Sequence, residues 1–165
     1  MNKKVLGIAV ALMAAALLSI SLPLACATKP VDVNFKRIMT GTSIEGRQAG
    51  KSDNIILNIA ATHLFTGDIA GTGAADARWI FHNYPNGPIN VHAVETISSV
   101  TVMGEPKSGT LTIRFDFIRD PTAGTVEGTW VIIGGTDDLA KLHGQGTMFG
   151  PMMDASFSGQ VHFDP

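Results

Sequence analysis

The chain has 165 residues, of which 45% are hydrophobic and 16% are charged, and its formal net charge at pH 7 is −2. It contains a single cysteine, which excludes a framework of disulfide bonds within the chain. No basic stretch interleaves with aromatic residues, and this argues against nucleic acid as a partner.

The first 27 residues carry the pattern of an export signal. Lys3 and Lys4 precede an apolar run over 5–18, and the small residues Ala25-Cys26-Ala27 form an A-x-A cleavage site. We therefore expect residues 1–27 to be a cleaved signal peptide. The protein is then secreted or extracytoplasmic, in the cell envelope.

Two alternatives to cleavage after Ala27 stay open. The apolar segment 5–24 has 20 residues, close to the roughly 20 that span a bilayer, so it could remain as a membrane anchor. Leu24-Ala25-Cys26 resembles part of a lipobox, which would make Cys26 a lipid-modified N-terminus. Cleavage leaves one domain, 28–165, with 10 basic and 14 acidic residues and a net charge of −4. No further apolar run in that domain is long enough to span a membrane.

Glycine and proline recur at intervals through this domain, as in an all-β meander. The candidate strands in chain order are 31–42, 54–64, 66–72, 76–82, 89–103, 109–119, 125–133, 143–149 and 155–163. Gly71-Thr72-Gly73 predicts a break between the third and the fourth strand, and residues 83–88 predict a turn. The phase of the long strand changes near Ala93-Val94, which predicts a bulge there.

The strand that starts at Gly109 has the most regular alternation. Its apolar side chains share one face, and they are Leu111, Ile113, Phe115 and Phe117. The last strand repeats this pattern, with Ala155, Phe157, Val161 and Phe163 expected to face inward. One short helical turn is predicted over 137–142. We predict a closed antiparallel barrel of about eight strands, because closure removes exposed sheet edges.

Several motifs resemble an uncharacterised family, a domain of unknown function whose members share the allene-oxide-cyclase-like β-barrel fold. The most specific part is the strand 128–132, with Gly128-Thr129-Trp130, followed by the glycine-rich segment 134–146 with its Leu139-Ala140-Lys141-Leu142 turn. The family also has a glutamate at the position of Glu95. The resemblance covers about 64–163 and implies a closed antiparallel barrel with an apolar lumen. It implies no activity, and we carry over no catalytic residue from it.

Glu95 is the candidate catalytic residue. It lies in a strand between the apolar residues Val91, Ala93 and Ile97, so the alternation points it into the barrel. A carboxylate in an apolar lumen is a candidate general acid or base. The alternatives are that a bulge turns Glu95 outward, or that it pairs with Arg37 or Arg78.

Three further residues are candidate ligand-binding residues, each with a structural alternative. His63 ends an apolar strand face and could serve as a pocket donor or proton shuttle, or it could be a residue of the barrel rim. Trp130 could line a pocket or pack in the core. Arg37 shares the parity of Val33 and Phe35, so it either enters the lumen as an anion anchor or lies where the strand emerges; we expect the latter.

The sequence predicts no metal site and no cofactor. The five histidines are scattered and lack the H-x-x-x-H or C-x-x-C spacing of zinc ligands. The segment 71–76 imitates a dinucleotide-binding fingerprint, but no strand–helix unit surrounds it.

The sequence is compatible with three functions, each of a different class. We favour a binding protein that holds a small apolar ligand in its lumen, since an eight-stranded barrel is just wide enough for one. The second is an isomerase or cyclase that uses Glu95, and the third is a structural or stress-protective envelope protein. Large side chains throughout the lumen favour the third, and a gap beside Glu95 favours the first two. The sequence leaves oligomer formation open.

Overall fold

The structure is a computed structural model that describes residues 28–49, 54–84 and 87–165. The predicted signal peptide and its cleavage site lie outside the described residues. So do residues 85 and 86 of the predicted turn at 83–88. The described residues contain no helix long and apolar enough to cross a membrane.

The described residues form nine β-strands and one short 3₁₀ turn. In chain order the strands are β1 (Val31–Ala49), β2 (Ile55–Gly67), β3 (Ile69–Phe81), β4 (Ile89–Val102), β5 (Glu105–Pro106), β6 (Leu111–Asp120), β7 (Thr125–Gly135), β8 (Leu142–Pro151) and β9 (Asp154–Phe163). The 3₁₀ turn spans Asp137–Leu139, between β7 and β8.

Eight of the strands close into an antiparallel barrel, as predicted. The hydrogen-bonded order is β3-β2-β1-β9-β8-β7-β6-β4, and the pairing of β3 with β4 completes the ring. The two-residue strand β5 pairs only with the end of β4. Each long strand therefore has two neighbours, and closure removes most of the exposed edge; residues 41–49 of β1 pair with β2 alone among the described strands.

The alternation in β6 and β9 sorts the side chains as predicted. Phe115 and Phe117 are buried in β6, whereas Arg114 and Ile118 on the opposite face are exposed. In β9 the inward positions Ala155, Phe157 and Val161 are buried and Phe163 is half-buried. The lumen is therefore built from every second residue, as a closed sheet with one wet face requires.

Three predicted details of the strands are wrong. The break at 71–73 does not exist, because Gly71 (φ 153°) absorbs an irregularity in the pairing with β4 and β3 runs through. The bulge in β4 lies at Ser99 (φ 53°) and not at Ala93-Val94, so the parity of Glu95 is unchanged. β1 continues to Ala49, beyond the predicted end at 42, with register shifts between Met39 and Gly41 and between Ile44 and Gly46.

The helical turn is shorter than the predicted 137–142. Only Asp137–Leu139 are in the 3₁₀ turn, and Leu142 already begins β8. Leu139 and Leu142 are both buried and belong to the core cluster, so this segment packs against the interior of the barrel.

An aromatic cluster fills much of the lumen. The rings of Phe35 and Phe157 are stacked with centroids 4.8 Å apart, and Trp130 meets Phe35 edge-on at 5.2 Å. Phe115 contacts Phe157 edge-on at 5.5 Å and lies 6.5 Å from Phe65. Aromatic pairs at such distances stabilise a core beyond the area that they bury.

Trp130 lies against two glycines that face the lumen from neighbouring strands. A Cβ atom at Gly146 would come within 2.6 Å of the indole Nε1, and one at Gly159 within 2.6 Å of its Cζ2. The indole N–H donates a hydrogen bond to the carbonyl oxygen of Ser158 at 3.2 Å. The indole of Trp130 therefore occupies the space that side chains at Gly146 and Gly159 would fill.

We predict that Gly159→Ala destabilises the barrel by about 1–3 kcal/mol, the usual cost of overpacking a filled core. Gly134→Ala is the matched control, because a Cβ atom at Gly134 would meet nothing within 4 Å. Urea denaturation of both variants measures the difference. A Cβ atom at Gly159 would also overlap the Gln145 carbonyl oxygen, so equal free energies of unfolding for the two variants would contradict the close packing around Gly159 as a whole.

Candidate functional site

Three ionisable side chains lie inside the barrel. Arg37 in β1 and His63 in β2 are each 3% exposed, and Glu95 in β4 is fully buried. Each occupies an inward position in the alternation of its strand, next to buried apolar residues. Charged residues are almost never fully buried unless they are paired, so this cluster, the Arg37–His63–Glu95 cluster, marks the candidate site.

The backbone of β3 makes room for the carboxylate. Gly73 pairs directly with His63 on one side and with Ile97 on the other. A Cβ atom at Gly73 would overlap Glu95 Oε1 and would come within 2.7 Å of the Phe65 ring. Gly73 thus creates the space in which the Glu95 carboxylate reaches His63.

A short hydrogen bond joins two members of the cluster. His63 Nδ1 lies 2.7 Å from Glu95 Oε1. A carboxylate beside a guanidinium acts as the acceptor, so Nδ1–H donates and the neutral imidazole keeps its lone pair on Nε2. The carboxylate therefore fixes both the orientation and the tautomer of the imidazole, as it does in hydrolase triads.

Arg37 supplies the charge that balances Glu95. Its Nη1 lies 3.6 Å from Glu95 Oε2, which is within ion-pair range but too long for a hydrogen bond. The guanidinium also stacks over aromatic rings, with its Cζ 4.9 Å from the centroid of Phe115 and 5.6 Å from that of Phe157. Desolvation lowers the pKa of Arg37 from its ordinary value, and the neighbouring Glu95 opposes this shift.

Two polar atoms of the cluster have no hydrogen-bond partner among the described residues. They are His63 Nε2 and Glu95 Oε2, and both are shielded from solvent. A buried polar atom without a partner destabilises the folded state, because it has lost the hydrogen bond that it makes to water in the unfolded chain. Such atoms in a native structure point to a water or a ligand that completes the site.

A small cavity of about 20 Å³ lies beside Arg37 and His63. Its wall is mostly apolar and includes four alanines, and the lining residues are Arg37, Met39, Ile59, Ala61, His63, Ala75, Ala77, Trp79, Val91, Ala93, Phe117 and Met152. Met39, Ala77 and Trp79 are half-buried and form the part of the wall nearest to solvent. The volume suffices for one water-sized group and no more.

The structure places the four predicted site residues in two groups. Arg37, His63 and Glu95 come together, and Glu95 both faces the lumen and lies beside Arg37. Arg37 enters the lumen, so the expectation that the strand emerges at this residue is wrong. Trp130 packs in the aromatic cluster and is not part of the cavity wall.

Sequence reasoning missed Gly73 and the alanines of the cavity wall. Ala61, Ala75 and Ala93 all lie on inward positions, where larger apolar residues would fill the lumen. The available signal was the low side-chain volume at these positions of three consecutive strands. The pairing that brings them together is long-range, and the sequence pattern of a single strand does not contain it.

A second group of histidines lies on the outer surface. His143 and His162 are directly opposite each other in β8 and β9, and their Nε2 atoms lie 3.1 and 3.4 Å from the two carboxylate oxygens of Asp164. Both histidines and the aspartate remain accessible to solvent. Among the described residues, no group of three or more His, Cys, Asp or Glu side chains is arranged to hold a metal ion.

Comparisons with known proteins identify the fold and no activity. The solved structure of a protein of unknown function of the DUF3224 family from Shewanella oneidensis MR-1 superposes with a TM-score of 0.62 and 15% sequence identity. The alignment covers 85% of this chain and 99% of that protein. No family model and no curated protein matches the sequence. The chain therefore shares its barrel with a DUF3224 protein, and at this identity the likeness extends to the fold alone.

We predict that Glu95→Gln lowers the free energy of unfolding by about 3 kcal/mol or more, because it leaves Arg37 buried without a counter-charge. The exposed pair of Lys36 and Asp154, 3.5 Å apart, provides the control. Asp154→Asn is expected to change stability by no more than about 0.5 kcal/mol.

Chemical denaturation of the two variants at pH 7 measures both effects. A similar small loss in each would mean that Glu95 does not compensate the charge of Arg37, and the electrostatic account of the cluster would then be wrong.

Proposed function

We propose that the protein binds a small apolar molecule at the alanine-lined part of the lumen, with the polar end of the ligand against the Arg37–His63–Glu95 cluster. The observation that carries this proposal is His63, which lines a cavity with small apolar side chains and whose buried Nε2 has no hydrogen-bond partner among the described residues. Ligand sites commonly combine a mostly apolar wall with a few convergent polar groups.

The small size of the cavity sets a condition on binding. Its 20 Å³ accommodates one polar group of a ligand, so the apolar remainder must displace side chains on the solvent side. Met39 and Trp79 are half-buried on that side, and Met152 also lines the cavity. Methionine is unbranched and adapts to irregular shapes, so a change of its rotamer opens the site at a low cost in free energy.

An isomerase or cyclase that uses the lumenal carboxylate is the second candidate function. The 2.7 Å hydrogen bond from His63 Nδ1 to Glu95 favours it, because such a pair holds an imidazole ready to accept a proton at Nε2. A binding protein retains its ligand unchanged, whereas an enzyme releases an isomer of it. Product analysis after incubation therefore separates the two functions.

A structural role in the envelope has support from a different part of the lumen. The stacked rings of Phe35 and Phe157, together with Trp130, fill that part of the barrel.

We also propose that the barrel has the allene-oxide-cyclase-like fold. It is supported by the closed eight-stranded antiparallel ring and by the sequence motifs around Trp130.

To test binding, we predict that toluene shifts the methyl signals of Met39 and Met152 in NMR spectra of the protein. Ala77→Leu is expected to abolish these shifts, because Ala77 lies in the cavity wall and the larger side chain fills the space. Ala74→Leu is the matched control, since Ala74 lies in the same strand and is exposed. Unchanged binding by Ala77→Leu, or no shift in the wild type, would contradict the proposed site.

We also propose that the protein acts outside the cytoplasm, on the basis of the A-x-A motif at Ala25-Cys26-Ala27. The expected mature N-terminus is Thr28, and mass spectrometry of the intact exported protein measures it. Retention of residues 1–27, or a diacylglycerol mass on Cys26, would show that the segment is an anchor or a lipoprotein signal instead.

A further inference from the structure

We infer that the polar end of the ligand is a neutral hydroxyl group that donates a hydrogen bond to His63 Nε2, and that a carboxylate is disfavoured. This inference rests on the proposed binding function and names the class of ligand, a short uncharged alcohol. Three independent features of the site lead to it: the tautomer of His63, the charge balance of the cluster and the size of the cavity.

The tautomer determines what His63 can offer. Nδ1 is 2.7 Å from Glu95 Oε1, and we assign the donor role to Nδ1–H because a carboxylate accepts; in this tautomer of the neutral imidazole Nε2 presents only a lone pair. This atom is buried and has no partner among the described residues. A ligand group that fits it must carry a hydrogen, as a hydroxyl does and as an ether or a carboxylate does not.

The charge balance disfavours an anionic ligand. The positive charge of Arg37 is already matched by Glu95, with Nη1 and Oε2 3.6 Å apart, so these two residues together contribute no net charge. A ligand carboxylate would be a second negative charge close to Glu95 in a site from which water is excluded. Like charges at such distances repel strongly in a medium of low dielectric constant.

The size of the cavity leads to the same class of ligand. A volume of about 20 Å³ fits a group with one heavy atom, such as a hydroxyl oxygen. A carboxylate adds three heavy atoms and needs a wider space between Ala75, Ala93 and His63. A hydroxyl oxygen thus fits the space that the lining side chains leave.

The experiment compares three probes built on a linear six-carbon chain: 1-hexanol, hexyl methyl ether and hexanoate, in which the carboxyl carbon is the sixth carbon. Dissociation constants at pH 7.5 come from NMR titrations that follow the methyl signals of Met39 and Met152. We expect 1-hexanol to bind about tenfold more tightly than either of the others, as one buried hydrogen bond permits. The imidazole ¹⁵N signal of His63 Nε2 is expected to move with 1-hexanol and not with the ether.

His63→Phe removes the acceptor and is expected to bring 1-hexanol and the ether to equal affinity. His92→Phe is the control, because His92 is exposed and its Nδ1 lies 2.7 Å from Asp116 Oδ1 on the outer surface. If His63→Phe fails to fold, the ¹⁵N shift of the wild-type protein still decides the question.

The possible failures are distinguishable. Tighter binding of hexanoate, or equal binding of 1-hexanol and the ether to the wild type, would overturn this inference while the proposed binding function stands. Failure of toluene and of all three six-carbon probes to bind would overturn the binding function itself.

Discussion

The burial of Glu95 is the constraint on which the centre of this barrel depends. A carboxylate that is fully enclosed in an apolar lumen must be compensated, since removing an unpaired charge from water costs far more than a folded domain can supply. Arg37 provides the opposite charge and His63 a short hydrogen bond. Gly73 leaves the space that the carboxylate needs. Four strands thus contribute to one electrostatic arrangement.

The same arrangement divides the lumen into two parts. The aromatic cluster around Phe35 and Phe157 is close-packed, and the guanidinium of Arg37 extends that packing because it lies over the rings of Phe115 and Phe157. Alanines surround the other side of the cluster, and there the packing leaves a cavity. The filled part stabilises the barrel, and the part beside His63 leaves a small cavity, where we propose that a ligand group binds.

The accuracy of sequence-based prediction differs between elements for physical reasons. β6 and β9 alternate without interruption, so the pattern alone assigns their inward residues. β1 passes through two register shifts, and its second half has no clear period, so the pattern ends near 42 although the strand continues to Ala49. The inward direction of the Glu95 side chain follows from the alternation of buried and exposed residues along its own strand. The contact with Arg37 and the space at Gly73 depend on pairings between distant strands, which local patterns do not encode.

A buried ion pair is a poor means of stabilising a protein, because apolar residues of similar volume often stabilise the same position as well or better. The Arg37–Glu95 pair is especially ineffective as a stabilising contact, since its atoms are 3.6 Å apart and Glu95 Oε2 has no hydrogen-bond partner among the described residues. Ile113 and Phe115 show that this lumen readily accommodates large apolar side chains. Stability of the barrel therefore does not account for this pair, and its incomplete polar pairing agrees with the proposed entry of a ligand group beside His63.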